Sequence, residues 1–103
     1  MTLGVGVYLK EKWVSGTSWY RVWSDGYIEQ GGNDIGSAFP TTRTIAFPKP
    51  FNKIPSIALG QKGEATTMSY VSGLNTITTN FSYIGLHSNS DNGNSCSWIA
   101  VGF

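Results

Sequence analysis

Apolar and polar residues alternate with a period of two along much of this chain, and short polar or glycine-rich stretches interrupt the alternation at regular intervals. The clearest stretch runs from Trp19 to Gln30, where two β-prone runs flank Asp25-Gly26. An Asp-Gly pair readily takes the positive φ angles of a two-residue hairpin turn. Such a turn sets Trp23 opposite Ile28, Val22 opposite Glu29 and Arg21 opposite Gln30. One side of the ribbon then carries Trp19, Arg21, Trp23, Ile28 and Gln30, and the other Tyr20, Val22, Tyr27 and Glu29. Neither side is cleanly polar, as a solvent-facing side of an antiparallel sheet would be, so both are expected to be covered.

Upstream, Tyr8 to Val14 alternates weakly and leads through Ser15-Gly16-Thr17 into the hairpin, which predicts a three-stranded meander. Gly31-Gly32-Asn33-Asp34 is read as its end and Ile35 to Thr42 as a loop. Arg43 to Phe47 is the next strand, stopped by Pro48-Lys49-Pro50 because proline has no amide hydrogen for a ladder. Ile54 to Gln61 follows, with Ile57, Leu59 and Gln61 on one face and Ser56, Ala58 and Gly60 on the other. A turn at Lys62 to Ala65 precedes a shorter strand around Met68 to Val71, and Thr76 to Leu86 reads as one long strand. After the small, polar loop His87 to Ser95, the chain closes on Ser97-Trp98-Ile99-Ala100-Val101-Gly102-Phe103. Free termini normally fray, so a strand at the last residues predicts that the C-terminus is locked into a sheet. Seven or eight short strands separated by turns predict a sandwich or barrel.

Composition strengthens the all-β reading. The 12 Ser, 10 Thr, 7 Asn and 13 Gly, with 14 aromatic residues, are types that compete with the helix backbone or lose rotamer freedom in it. At 103 residues the chain suits one domain. Its formal charge of +1 and scattered cations, Lys10 to Lys62, give no basic stripe for nucleic acid or an anionic membrane. The run Leu3 to Leu9 is too short and too glycine-broken for a signal or a membrane span, so no membrane insertion is expected. A single cysteine, Cys96, rules out an internal disulfide and has the parity of Trp98 and Ala100, as a small buried side chain would.

Three stretches carry a family likeness. Ser18-Trp19-Tyr20-Arg21-Val22-Trp23-Ser24-Asp25-Gly26-Tyr27-Ile28-Glu29-Gln30-Gly31-Gly32 resembles the signature that opens the C-terminal domain of bacteriophage and prophage tail fibres, the gp53-like C-terminal domain. Ile45 to Ile57, with Phe47, Phe51 and Pro55, resembles an element that this family shares with H-type lectins. Trp98-Ile99-Ala100-Val101-Gly102-Phe103 is similar to the ending of those fibres. The resemblance implies a small antiparallel β-sandwich, H-type lectin-like, assembled as a homotrimer at the distal tip of a fibre in a virion, or in its prophage or tailocin equivalent. There it would attach to bacterial surface polysaccharide or lipopolysaccharide. Residues 1–14 would be the end of the fibre shaft or a leading strand, and residues 15–103 the head. A hairpin apolar on both faces, low charge and no disulfide independently suit a protomer that buries one face in its core and the other against sister copies. On that reading Trp19, Arg21, Trp23, Ile28 and Gln30 form the subunit interface.

Catalytic chemistry finds little support in the inventory. The chain has one imidazole, His87, and one thiol, Cys96; Glu11, Asp25, Glu29, Asp34, Glu64 and Asp91 do not cluster in sequence. Asp25 is accounted for by the turn and Glu29 sits opposite Val22, so no enzyme is expected, although a carboxylate pair converging in space stays open. One histidine without a ligand-spaced partner predicts no metal or cofactor. Gly31-Gly32 lacks the Lys-Ser/Thr and the helix of a phosphate loop, and Asn80-Phe81-Ser82 matches a glycosylation sequon inside a predicted strand.

Sugar binding needs hydrogen-bonding groups beside an aromatic face. His87, Asn89, Asp91, Asn92 and Asn94 in the polar loop, with Trp98, are the candidates. A solvated loop and a core tryptophan are the plain alternatives. Trp13, Trp19 and Trp23 are read as interface residues before sugar platforms, and Arg21 as a hydrogen-bond partner of Gln30. The competing functions are a structural trimerisation cap, with recognition carried elsewhere, and an OB-like single-strand binder, which the neutral charge disfavours.

Overall fold

The computed structural model describes residues 6–37, 42–62, 70–87 and 94–103. Eight strands, β1 (Leu9–Ser15), β2 (Ser18–Trp23), β3 (Ile28–Ser37), β4 (Thr42–Ala46), β5 (Ser56–Lys62), β6 (Tyr70–Thr76), β7 (Asn80–His87) and β8 (Asn94–Gly102), form two antiparallel sheets. The first has the order β1-β2-β3-β8-β5 and the second β4-β7-β6. The all-β, two-sheet expectation therefore holds. Among the described residues no helix is long and apolar enough to cross a membrane.

The core fills the space between the sheets. Val22, Ile28, Cys96, Trp98 and Ala100 from the first sheet meet Phe81 and Tyr83 from β7, with Phe47 and Phe51 closing one end. The rings interlock: Phe81 lies 5.1 Å from Trp98 and Phe47 5.1 Å from Phe51, centroid to centroid, in tilted and edge-on arrangements that suit the ring quadrupoles. Ile57 and Leu59 pack against this cluster, as the alternation in β5 predicts.

The β2–β3 register corrects the expected one. Val22 pairs with Ile28, Arg21 with Glu29, Tyr20 with Gln30 and Trp19 with Gly31, one residue away from the pairing of a two-residue turn. The loop holds three residues, Ser24, Asp25 and Gly26. The Gly26 amide donates to the Trp23 carbonyl at 2.9 Å, and Gly26 itself has φ +94°. The positive φ that Asp-Gly advertises is used once, at the last loop position, rather than twice. Because side chains alternate, the slip reshuffles the faces. Ile28 and Gln30 turn inward with Tyr20 and Val22, while Trp19, Arg21 and Trp23 share the outer face with Glu29.

Three further expectations change. Gly31 to Asp34 continue β3 instead of ending it, and Ile35 to Ser37 lie in the same strand. The glycines there serve close approach: a Cβ on Gly31 would sit 2.7 Å from the Trp98 carbonyl oxygen and 3.0 Å from Trp19 Cζ2. Thr76 to Leu86 is two strands, since a turn between Thr76 and Asn80 is closed by the Ile77 amide on the Asn80 carbonyl at 2.9 Å. Its Thr78 and Thr79 carbonyls accept the Phe51 and Phe47 amides, contacts that sequence alternation does not signal. Finally, β5 begins at Ser56, just after Pro55.

The C-terminus is held as expected. β8 lies between β3 and β5, Gly102 pairs with Ile28, and the Phe103 carbonyl accepts from the Asn52 and Lys53 amides at 2.9 and 3.0 Å.

Candidate functional site

The sequence candidates separate into three places. Asn89, Asp91 and Asn92 lie outside the described residues, and His87 ends β7 while Asn94 opens β8. Trp98 sits on the inner face of β8 at 5% exposure, packed on Phe47 and Phe81. Its ring is spent on the core, which removes it as a surface platform.

The outer face of the five-stranded sheet is the second place. Trp19 lies over the missing side chain of Gly31 and beside Ile99, and the Arg21 guanidinium stands 5.1 Å from its ring centroid. Trp23 Nε1 donates to Glu29 Oε1 at 2.6 Å, so Glu29 is engaged by an indole rather than facing Val22. Arg21 pairs with Lys12 on one side and Glu29 on the other, not with Gln30. Val14 is 73% and Ile99 48% exposed, and Val14 pairs with Trp19 as Ile99 pairs with Gly31. An apolar patch thus crosses from β1 to β8, and among the described residues only the Arg21 guanidinium is recorded over one of its rings, that of Trp19. An open concavity of about 570 Å³ runs along the β1–β2 hairpin and is bordered by residues of both its faces, Val14, Trp19 and Arg21 on one and Trp13 and Tyr20 on the other.

The third place is polar and was not found from sequence. Asp34, inward-facing on β3, accepts from Arg43 Nε at 2.6 Å and Arg43 Nη2 at 2.8 Å, and from the Tyr83 hydroxyl. This joins the two sheets through a largely covered carboxylate, 10% exposed in its side chain. Burial first, then the Asp34 hydrogen bond, raises the Tyr83 phenol well above its ordinary value. Burial, with the nearby Asp34 charge second, pushes the Cys96 thiol up to about 11. Nothing in the local sequence around Asp34 marks a partner nine residues ahead or on β7.

The acids in the described part of the chain are all engaged. Asp25 Oδ1 accepts the Tyr27 amide at 3.0 Å, and Glu11 accepts the Tyr20 hydroxyl and pairs with Lys49 Nζ at 3.4 Å. The Tyr20 hydrogen bond is the main cause holding Glu11 below the usual carboxylate range. Among the described residues no group of three or more His, Cys, Asp or Glu could hold a metal ion.

No curated protein matches the sequence. Solved structures share the fold, among them three tail fibers. Against an N-truncated R2-type pyocin tail fiber the TM-score is 0.67 at 20% identity, covering 93% of this chain and 39% of that one. Against the C-terminal part of the R2 pyocin fiber of P. aeruginosa it is 0.67 at 21% identity, covering 97% and 26%. Against an N-truncated R1-type pyocin tail fiber it is 0.69 at 17% identity, covering 97% and 88%. The chain therefore spans well under half the length of the first two. The family described as "Putative tail fiber protein gp53-like, C-terminal" matches residues 21–103, most of the sequence. This chain belongs to that family, and its place is in a tail fibre.

Proposed function

We propose that this domain is the non-enzymatic, receptor-binding tip of the fibre, working as a homotrimer that attaches to bacterial surface glycan. The observation that carries the reading is the outer face of the five-stranded sheet, where exposed Val14 and Ile99 and half-buried Trp19 and Trp23 form an apolar surface that the described residues leave partly open. Apolar surface of this kind marks an interaction site, and three copies around a fibre axis would cover it. The proposed interface keeps Trp19, Arg21 and Trp23 and gains Val14 and Ile99. Ile28 and Gln30 leave it because they fill the protomer's own core.

The engagement of each described acid in structural bonds supports attachment without bond cleavage. In a trimeric head, weak single sites add up: three copies on one fibre raise avidity without new contacts. β1 pairs along β2 as the edge strand of the sheet, which supports assigning Leu9 onward to the head rather than to the shaft.

The second reading, a cap that closes the fibre while recognition lies elsewhere, is favoured by the pinning of the Phe103 carbonyl by two amides. Binding of the chain to an array of bacterial surface polysaccharides tests the two. Saturable binding by the assembled head supports attachment. A stable trimer that binds neither the array nor host cells supports the cap.

A further inference from the structure

We infer that the β1–β2 hairpin carries a neutral-sugar platform on the face opposite the proposed subunit interface, built by Trp13, Tyr20, Glu11 and Lys49. The inference rests on the glycan-binding reading above and gives it a site. Trp13 and Tyr20 are direct cross-strand partners, and their rings stack at 5.4 Å between centroids with planes 18° apart. By register they lie on the side of the sheet that faces inward at Val22, yet Trp13 is 38% exposed, and β1 is exposed along its whole length.

An exposed tryptophan braced from behind is costly to leave in water unless something lies on it, and its flat apolar face fits the C–H face of a pyranose. The polar groups that a sugar needs stand beside it and are held in place. Glu11 receives the Tyr20 hydroxyl and pairs with Lys49 Nζ at 3.4 Å, and Lys49 Nζ also lies 5.7 Å from the Tyr20 ring centroid. Lys49 is positioned in turn by buried Gln30, which hydrogen-bonds its backbone in both directions. Glu11 thus offers acceptors to ring hydroxyls and Lys49 offers donors, side by side at the edge of the stacked rings. Because the two charges offset one another, the platform matches an uncharged hexose or deoxyhexose better than an acidic sugar.

This site is distinct from Asn94: Tyr20 pairs with Gln30 while Ser37 pairs with Asn94, seven residues farther along β3 and roughly 20 Å away.

The test titrates methyl glycosides of glucose, galactose, mannose and rhamnose into the chain while following tryptophan indole resonances, and repeats the polysaccharide array with variants. The account expects the Trp13 indole signal to shift saturably with at least one glycoside while Trp98 stays still. Trp13→Ala should weaken array binding by about tenfold or more, and Trp13→Tyr, which keeps a ring and controls for folding, should retain most of it. Array binding unchanged by Trp13→Ala but lost when residues 88–93 are replaced by a Gly-Ser linker would overturn this site and leave the attachment reading standing. A Trp13→Ala chain that loses its oligomeric mass would overturn it too, by showing the platform covered by a sister copy. A wild-type chain that binds no glycoside and no polysaccharide would remove both.

Discussion

Gln30 clasps the backbone of Lys49 from both ends. Its Nε2 donates to the Lys49 carbonyl at 2.5 Å, and its Oε1 accepts the Lys49 amide at 3.0 Å, with the Gln30 side chain fully buried. Two prolines flank Lys49, so this one side chain supplies the partners that a strand neighbour would otherwise give. Gln30→Leu, close in size but without either partner, strands a buried donor and acceptor. It should cost about 2–4 kcal/mol, since each unmet buried group costs about 1–3 kcal/mol. Denaturant unfolding measures the loss. Glycan binding at the platform should fall with it, because Lys49 loses its position.

Asp34 ties β3 to β4 and β7. Asp34→Asn keeps the shape but removes the charge that the Arg43 fork and the Tyr83 hydroxyl address. Arg43 is 35% exposed in its side chain and so keeps some contact with water, which places the expected cost at about 1–3 kcal/mol, below that of a fully buried ion pair. A lower denaturant midpoint with an unchanged slope is the expected result.

Alkaline pH should loosen the fold. Cys96 is raised from 9.0 to about 11, first by burial, and Tyr83 is raised in the same direction. Both groups keep their protons longer in the folded chain than in the unfolded one. Between these values the unfolded state therefore binds fewer protons, and stability falls as pH rises from about 9. The Cys96 part amounts to about 3 kcal/mol when complete. Melting temperature followed from pH 7 to 11 should decline above 9, and Cys96→Ala should flatten the decline up to about 10. In the native protein the thiol should resist alkylation at pH 8.

Gly31→Ala should be among the most damaging single-methyl additions. The new Cβ would meet the Trp98 carbonyl at 2.7 Å, and that oxygen belongs to β8, held between β3 and β5, and cannot swing aside. Overpacking of this kind costs about 1–3 kcal/mol or more. Cooperative unfolding at clearly lower temperature is the expected outcome.

The fold was legible where alternation is strict and the turn is chemically marked. Cys96 shares the parity of Trp98 and Ala100, and all three are buried, as are Phe81 and Tyr83, which share a parity on β7. Register was harder to read. Asp-Gly serves both two-residue and three-residue loops, and one residue of slip moved Ile28 and Gln30 from the outer face to the core. Gly31-Gly32 read as a stop because glycine weakens strands in general, whereas here tryptophan rings and a strand backbone occupy the space a side chain would fill. The platform at Trp13 was hidden for another reason: Glu11 and Lys49 are 38 residues apart, and the Gln30 bonds to the Lys49 backbone, which help bring them together, have no local sequence signal.

The central claim is that the outer face of Trp19, Trp23 and Ile99 is shared between copies of the chain. Sedimentation equilibrium of the 11.2 kDa chain at micromolar concentration, with Ile99→Asp beside it, tests this most directly. The account predicts a single species of three chains for the wild type. The Ile99→Asp variant should be a monomer that still melts cooperatively, since Ile99 is 48% exposed and contributes little to the protomer's own core. A wild-type chain that sediments as a stable monomer, with the same mass as the variant, would contradict it.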